Sequence, residues 1–520
     1  MEAAFVRTRK IHLVQRVGYF LPALLLSLGF ETAVAEDARY LVRFKAATAA
    51  VGALSSAHHY SAMALEGASP AVVLPRDNSV AAVLSAEQVE QLSKRADVES
   101  IEEDTRIHAF FTPDDPRFSD QYGMGTGVGI SAVDAWNITI GSPSALVAIV
   151  DSGVDYGHED LQASIWRNPG EVAGNGVDDD GNGFVDDYYG YDFANQDGEP
   201  LDDNGHGTHV AGIIAATGNN ALGVAGVAWA SQVVAIKCLD GSGSGYNSDL
   251  VRAIDYASTL KDQGYPIVAI NMSLGGEYSS SLYRAVSRAS ERGIILVAAA
   301  GNESSNNDDN PTYPASFDLP NILSVAASNS LGQLAEYSNY GRKSVHVAAP
   351  GSSIMSTKPR QGGVSEYGYE SGTSMAAPHV SGVTALVASA NPTAPGTLIK
   401  SILMSTVKPD SALARVTVAG GIVDASAAVL MAQGTQLYKV SGTVRRNGRA
   451  VAGISMIVTP KNGVTTRRTT RTNTRGSYSV SNLPLGTYTV KARSSRYRFS
   501  PSTVKVDLTK NTRKNFTVTR

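Results

Sequence analysis

The stretch ALVAIVDSG, residues 145–153, decides the fold. Its apolar run has no polar break until Asp151, where Asp-Ser-Gly supplies residue types that favour turns. A strand this apolar has no solvent face, as expected in the middle of a parallel sheet covered on both sides. Runs of the same kind recur at 232–237, 267–272 and 294–300, separated by helix-length patterns at 208–216, 248–260 and 281–291. Strands alternating with helices predict an α/β fold with a mainly parallel sheet and helices on both faces.

Sheets of this kind place chemistry where strands end and helices begin. Asp151 ends the first run, His206 in GHGTH (205–209) opens a small-residue helix, and Ser374 in GTSMA (372–376) opens an apolar helix reaching residue 390. Singly, these are a turn aspartate, a loop histidine and a serine helix cap. Together they are a carboxylate, an imidazole and a hydroxyl, the groups needed to turn an alcohol into a nucleophile for an amide carbonyl. His206 and His209 lack the spacing and the glutamate of a zinc HExxH site. The single cysteine, Cys238, lies in an apolar run and excludes an intrachain disulfide. His209, His379 and His158 are expected in packing or hydrogen bonding rather than chemistry.

Four stretches, IVDSGVD (149–155), NGHGTHVAG (204–212), AAGN (299–302) and SGTSMAAPHVSG (371–382), occur in an order that resembles the subtilisin-like serine proteases, or subtilases, over residues 112–433. The resemblance implies a serine endopeptidase in which His206 is the general base, Asp151 orients it and Ser374 carries the acyl group. Asn302 and the backbone N–H of Ser374 would hold the oxyanion. Protein or peptide substrate would lie extended between Ser273-Leu274-Gly275 and Gly241-Ser242-Gly243. A pocket walled by Ser273 to Gly275 and by Ala299, Ala300 and Gly301, with Thr312 near its floor, would give broad cleavage. Asp308 and Asp309 are expected in a solvent-facing loop. A different class of reading, a surface-binding protein on an inactive scaffold, is disfavoured by the intact set Asp151, His206, Asn302 and Ser374. A narrow-specificity maturation protease stays open.

The insert DDDGNGFVDD (178–187) carries oxygens at Asp178, Asp180, Asn182 and Asp186, spaced like positions one, three, five and nine of a calcium loop, with Gly183 at its sharp turn and Tyr189 where a bidentate Glu is usual. Calcium is the expected structural cofactor, with no organic cofactor. By resemblance, Asp160 and residues 219–224 form a second calcium site.

The chain has 520 residues, 43% apolar and 18% charged, an ordinary globular composition with room for several domains. Basic residues before the apolar stretch 17–30, then AVA at 33–35, predict a signal peptide over 1–35 and a secreted protein. Residues 36–111 resemble an inhibitory propeptide, 434–438 read as a linker, and 439–520 resemble a small prealbumin-like or carboxypeptidase-regulatory β-sandwich. That last segment holds 18 Lys and Arg against one acid, Asp507, a net of +17 within a chain whose total is −4. Such a module could hold an anionic surface or polysaccharide. No specific nucleic-acid binding is implied, and a monomer is expected.

Overall fold

A computed structural model describes residues 38–45, 72–74, 76–104, 112–460, 468–484 and 486–519. The predicted signal peptide lies outside them. The chain divides into two compact units, Met1–Arg106 and Ile107–Arg520.

In the first unit, strands β1 (Ala38–Phe44), β2 (Val72–Leu74), β3 (Ser79–Leu84) and β4 (Val98–Glu103) form an antiparallel sheet in the order β2-β3-β1-β4. Helix α1 (Ala86–Ser93) starts at a capping box: Gln88 N donates to Ser85 Oγ at 3.2 Å, and Ser85 N donates to Gln88 Oε1 at 2.8 Å. Its Leu92 packs on Val42, Phe44, Val80, Ala82 and Leu84.

The second unit is built on a nine-stranded sheet. In chain order its central strands are β5 (Leu146–Asp151), β6 (Gly190–Asp192), β7 (Gln232–Lys237), β8 (Ile267–Met272), β9 (Ile295–Ala299), β10 (Ile322–Ser328) and β11 (Val347–Pro350). They pair in parallel in the order β11-β10-β9-β8-β5-β7-β6. All six residues of β5 are buried. Its side chains alternate, as a strand's must. Val147 and Ile149 join a core with helices α2 (His206–Ala215) and α5 (Thr373–Ala390), whereas Leu146, Ala148 and Val150 join the opposite core with α3 (Asn247–Asp262) and α4 (Ser280–Glu291). The unbroken apolar run is thus the consequence of cover on both faces. An antiparallel hairpin, β12 (Ile354–Gln361) with β13 (Val364–Glu370), leads into α5.

Helix α6 (Gly396–Ser405) is followed by β14 (Lys408–Pro409) and β15 (Gly421–Ile422), which complete the sheet edge, and by α7 (Ala425–Ala432), which packs against α5. Strands β16 (Leu437–Arg446) to β25 (Phe516–Val518) then form a two-sheet sandwich around Val440, Val444, Met456, Val490, Val506 and Phe516. One sheet runs β19-β18-β21-β23, with β18 (Ser455–Pro460), β19 (Arg468–Arg471), β21 (Gly486–Arg493) and β23 (Thr503–Leu508).

The sandwich is fixed to the preceding domain by polar contacts that are themselves buried. Arg468 donates to Asp424 Oδ2 at 2.6 Å, with side chains 9% and 0% exposed. The other Asp424 oxygen accepts from Ala427 N at 3.2 Å and so caps α7. Asn482 in β20 (Ser477–Pro484) donates its amide to the carbonyls of Thr406 and Val407. Removing one partner of a buried ion pair leaves a charge without compensation. Arg468→Ala is therefore expected to destabilise the second unit by about 3 to 5 kcal/mol. Urea unfolding of the Ser374→Ala background measures it, and an unchanged midpoint would contradict the docking.

Candidate active site

The carboxyl ends of four adjacent strands, β9, β8, β5 and β7, lead into Asn302, the 273–276 segment, Asp151 and the 239–245 segment respectively. This is the edge where open α/β sheets hold ligands. Asp151 is fully buried, and its Oδ1 accepts from Ser152 N at 2.8 Å and from the His206 ring at Nδ1 at 2.7 Å. Glycine allows the histidine helix to rest on the aspartate turn: a Cβ on Gly207 would come within 2.0 Å of Gly153 O. Asp202, missed in the sequence, locks this contact. Ser152 Oγ donates to its Oδ1 at 2.9 Å, and Thr208 N and Oγ1 donate to its Oδ2 at 2.8 and 2.6 Å, while Gly207 N donates to Ser152 Oγ at 2.9 Å. Buried Lys237 adds a cationic tie, donating to Ser152 O at 2.9 Å, Leu239 O at 2.6 Å and Asp203 Oδ1 at 2.6 Å.

Ser374 occupies the first turn of α5, where backbone N–H groups lack helix partners and the dipole end is positive. Pro378 lies four residues on and has no N–H to give the Ser374 carbonyl. Ser273 Oγ donates to that carbonyl instead, at 2.8 Å, and the Ser374 hydroxyl donates back to Ser273 O at 3.1 Å. Behind them, Asn271 Nδ2 donates to Ser273 Oγ at 3.0 Å and Ser381 Oγ donates to Asn271 Oδ1 at 2.8 Å. This relay pins the serine helix to the end of β8. In this state the Ser374 proton is directed to Ser273 O. Hydrogen bonds of this kind commonly tighten onto the base only with substrate in place.

Asn302 uses its Oδ1 to accept from Thr373 N at 2.8 Å and Thr373 Oγ1 at 3.0 Å, which leaves its Nδ2 as the outward donor. A Cβ built on Gly372 would lie 3.5 Å from both Asn302 Nδ2 and Ser374 N. A side chain at this glycine would therefore touch both predicted oxyanion donors.

A cleft of about 600 Å³ is lined by His206, Ser242, Gly243, Ser273, Leu274 and Gly275, all singled out in the sequence except that His206 was assigned to chemistry rather than substrate contact. Asn204, Leu250, Leu282 and Tyr313, which the sequence reading missed, line it as well. Gly241 is outside that lining; its carbonyl accepts from Asn204 Nδ2 at 3.2 Å. Ala299 and Ala300 are buried, and Gly301 is half-buried. Thr312 abuts Gly275, where a Cβ would meet Thr312 Cγ2 at 2.8 Å. Asp308 turns from the cleft and accepts from the backbone N–H groups of Arg342, Lys343 and Ser344 at 2.9 to 3.0 Å.

The acidic insert closes differently from its spacing. Glu171, Asp178 and Asp180 bring one oxygen each within 4.8 Å of the others. Asp186 is outside this group, because its carboxylate accepts from Asn175 N and Gly176 N at 2.9 Å. Asn182 Oδ1 accepts from Phe184 N at 2.8 Å, and of the four residues read from spacing, Asp178 and Asp180 stand in the acidic group, which Glu171 joins. Glu171 Oε2 is buried with no hydrogen-bond partner among the described residues, an acceptor to which a cation is suited. Elsewhere, Asp160 accepts from Asn220 Nδ2 at 2.8 Å and Val224 N at 2.9 Å, and the unpredicted Asp115 accepts from Asn219 N at 2.8 Å. Burial raises the Asp160 carboxyl to about 6, with the Asp115 charge adding to it.

His158, His209 and His379 are buried and bonded to backbone; burial lowers the last two to about 4. His206 goes the other way. Burial lowers it, but the Asp151 charge and hydrogen bond, with Glu370 and Asp202 beyond, prevail and raise it to about 9.

A parallel sheet that gathers a buried carboxylate, an imidazole and a helix-start serine at its strand ends is a serine-hydrolase scaffold. Residues 143–435 match the subtilase family of peptidases, residues 76–110 the peptidase inhibitor I9, and residues 439–519 the carboxypeptidase regulatory-like domain. Thermitase of Thermoactinomyces vulgaris is 42% identical over 281 residues, 54% of this chain and 86% of that protein. The extracellular protease of Xanthomonas campestris is 38% identical over 363 residues, 66% of this chain and 61% of that protein. A protease structure from Pseudoalteromonas arctica is 35% identical with a TM-score of 0.51, covering 62% of this chain and 100% of that one. The chain belongs to the subtilase family, and it spans about three fifths of the length of the extracellular proteases of Xanthomonas campestris and Dichelobacter nodosus, at 61% and 60%.

A raised folded-state pKa stabilises the fold while the group is protonated. The contribution from protonated His206 is full below about 6.5, its ordinary value, and is lost as pH rises through about 9. NMR titration of the Ser374→Ala protein should place the His206 ring near 9, and Asp151→Asn should bring it down below the ordinary range because only burial then dominates. A ring that titrates alike in both proteins would contradict the coupling.

Proposed function

We propose that this protein is a secreted serine endopeptidase, made as a precursor whose N-terminal segment inhibits it until removed. The observation that carries the reading is the 2.7 Å contact between Asp151 and His206, with Ser374 at the start of α5 bonded to Ser273 of the cleft that His206 also lines. Ser374 Oγ attacks the substrate carbonyl as its proton passes to His206 Nε2, and Asp151 stabilises the imidazolium. Asn302 Nδ2 and Ser374 N hold the oxygen that becomes negative. Collapse expels the amine, which takes the proton from His206, and leaves an ester on Ser374. Water then attacks with the same base and frees the acid.

Names of relatives that include the word extracellular support secretion, as does the predicted signal peptide. Among the described residues no helix is long and apolar enough to cross a membrane. The match of residues 76–110 to an inhibitor family supports the precursor reading, with domain limits near 111, 433 and 439. Leu250, Leu274, Leu282 and Tyr313 in the cleft favour apolar contact with extended substrate rather than one required charge, which fits broad cleavage.

A serine-directed phosphonate should label the mature protein at Ser374 alone and stop hydrolysis of unfolded casein; labelling elsewhere, or none, would overturn the reading. Loss of an oxyanion donor in Asn302→Ala should lower kcat on the order of a hundred- to a thousand-fold. Gly372→Ala, which puts a methyl in contact with both donors, should also lower kcat, with the fold retained by circular dichroism.

Calcium suits both acidic sites, with Glu171, Asp178 and Asp180 as donors at one and Asp115 and Asp160 at the other, supplying charge neutralisation in the fold. A chelator should lower the melting temperature by several degrees, and added calcium should restore it. Glu171→Gln should shrink that difference; a chelator-insensitive melt would remove the metal from the reading.

A further inference from the structure

We propose that the outer face of the β19-β18-β21-β23 sheet is a binding site for an anionic polysaccharide. The strand pairing decides which side chains share that face. Ser455 of β18 lies opposite both Arg471 and Arg493, Ile457 lies opposite both Thr469 and Lys491, and Thr459 lies opposite Thr489, whose partner on β23 is Lys505. The alternate residues Met456, Val458, Val490 and Val506 turn into the sandwich core. Arg471, Lys491, Arg493 and Lys505 are all exposed. With strands about 4.8 Å apart and same-face neighbours about 6.6 Å apart along a strand, the four cations fall along a diagonal roughly 20 Å long.

Among the described residues, Arg471, Lys491 and Arg493 form no ion pair. The one acid on the four strands, Asp507, stands at the far end of the face, 3.6 Å from Lys505, with Thr487 Oγ1 donating to it at 2.6 Å. The face is thus a positive field of its own, on a chain whose other residues are net acidic. Docking through Arg468 and Asn482 uses the inward side of β19 and the adjoining sheet, so the outer face is left open.

The neutral residues between the cations choose the class of polymer. Ser455, Thr459, Thr469 and Thr503 present hydroxyls able to donate to and accept from a sugar hydroxyl, while Thr489, which donates to Thr459 O at 3.4 Å, can accept. Bases need aromatic platforms, and the only aromatic on these strands, Tyr488, is buried on the opposite side. A lipid surface needs an apolar wedge, and no large apolar side chain on the face is exposed. A flat row of cations and hydroxyls fits an extended chain of sulfated or uronic sugars. The established match to a regulatory-like domain assigns no ligand to it.

The test uses the full chain with Ser374→Ala and measures binding to heparin and to polygalacturonate, which separate sulfate from carboxylate recognition. Oligothymidylate and phosphatidylglycerol vesicles serve as the other polymer and surface. If all four cations engage a densely charged chain, affinity for the preferred polysaccharide should fall on the order of a hundredfold between 50 and 200 mM salt. Arg471→Ser, Lys491→Ser, Arg493→Ser and Lys505→Ser together should abolish retention. Removing equal charge elsewhere on the module, by Arg445→Ser, Arg446→Ser, Arg449→Ser and Arg475→Ser, should cost less than a few fold. The pair Arg471→Ser and Lys505→Ser, with an unchanged melt, guards against misfolding of the fourfold variant and should lower affinity about tenfold. No binding at 50 mM salt, equal loss in the two fourfold variants, or tighter binding to oligothymidylate or vesicles than to either polysaccharide would overturn the proposal.

Discussion

Asp151 is an ionisable group with no solvent around it, placed at the end of a strand buried along its whole length. Such a group is tolerated where partners of opposite polarity are built around it. The His206 ring and Ser152 N supply that on one oxygen, and the rest of the site is arranged to keep them there. Asp202 holds the strand-end turn against the start of α2, and Lys237 ties the same turn to the end of β7. The helix and strand that carry His206 and Asp151 are therefore fastened to one another, the condition under which fixed dipoles act on a reacting centre at little reorganisation cost.

The serine is held by a different device. A proline one turn into α5 withdraws the hydrogen bond that an ordinary helix would give the Ser374 carbonyl, and Ser273 takes the place. One side of the cleft and Ser374 thereby share a bond, with Asn271 and Ser381 behind it in the core. Position of the cleft segment and position of Ser374 are coupled through the same few polar atoms.

Charge is distributed by module. The catalytic region concentrates acid in loops whose carboxylates are largely occupied by backbone N–H groups, while the C-terminal sandwich concentrates base on strand faces. Among the described residues of the sandwich, Arg468 is the cation that crosses inward, meeting Asp424 at the cap of a helix that packs on the serine helix. The sandwich is for that reason anchored to the core of the enzyme fold, and its remaining cations are left to the surface.

The sequence by itself determined the strands and the chemistry of the residues that end them. The largely apolar runs at 232–237 and 267–272 coincide with β7 and β8, because burial on both faces leaves their middles no polar position, with Lys237 and Asn271 at or near their ends. Helix α2 begins at His206, two residues before its small-residue pattern does, since Gly205 and Asp202 set the start rather than hydrophobic period. What only the tertiary structure decided is which oxygen meets which donor. Asp186 stands in the right spacing for a calcium loop yet turns to Asn175 and Gly176, whereas Glu171, outside the pattern, closes the acidic group. The roles of Asp202, Asn271, Asp115 and Arg468 were likewise illegible, because each depends on partners from separate segments of chain, and local pattern records side-chain type and period but carries no distances between segments.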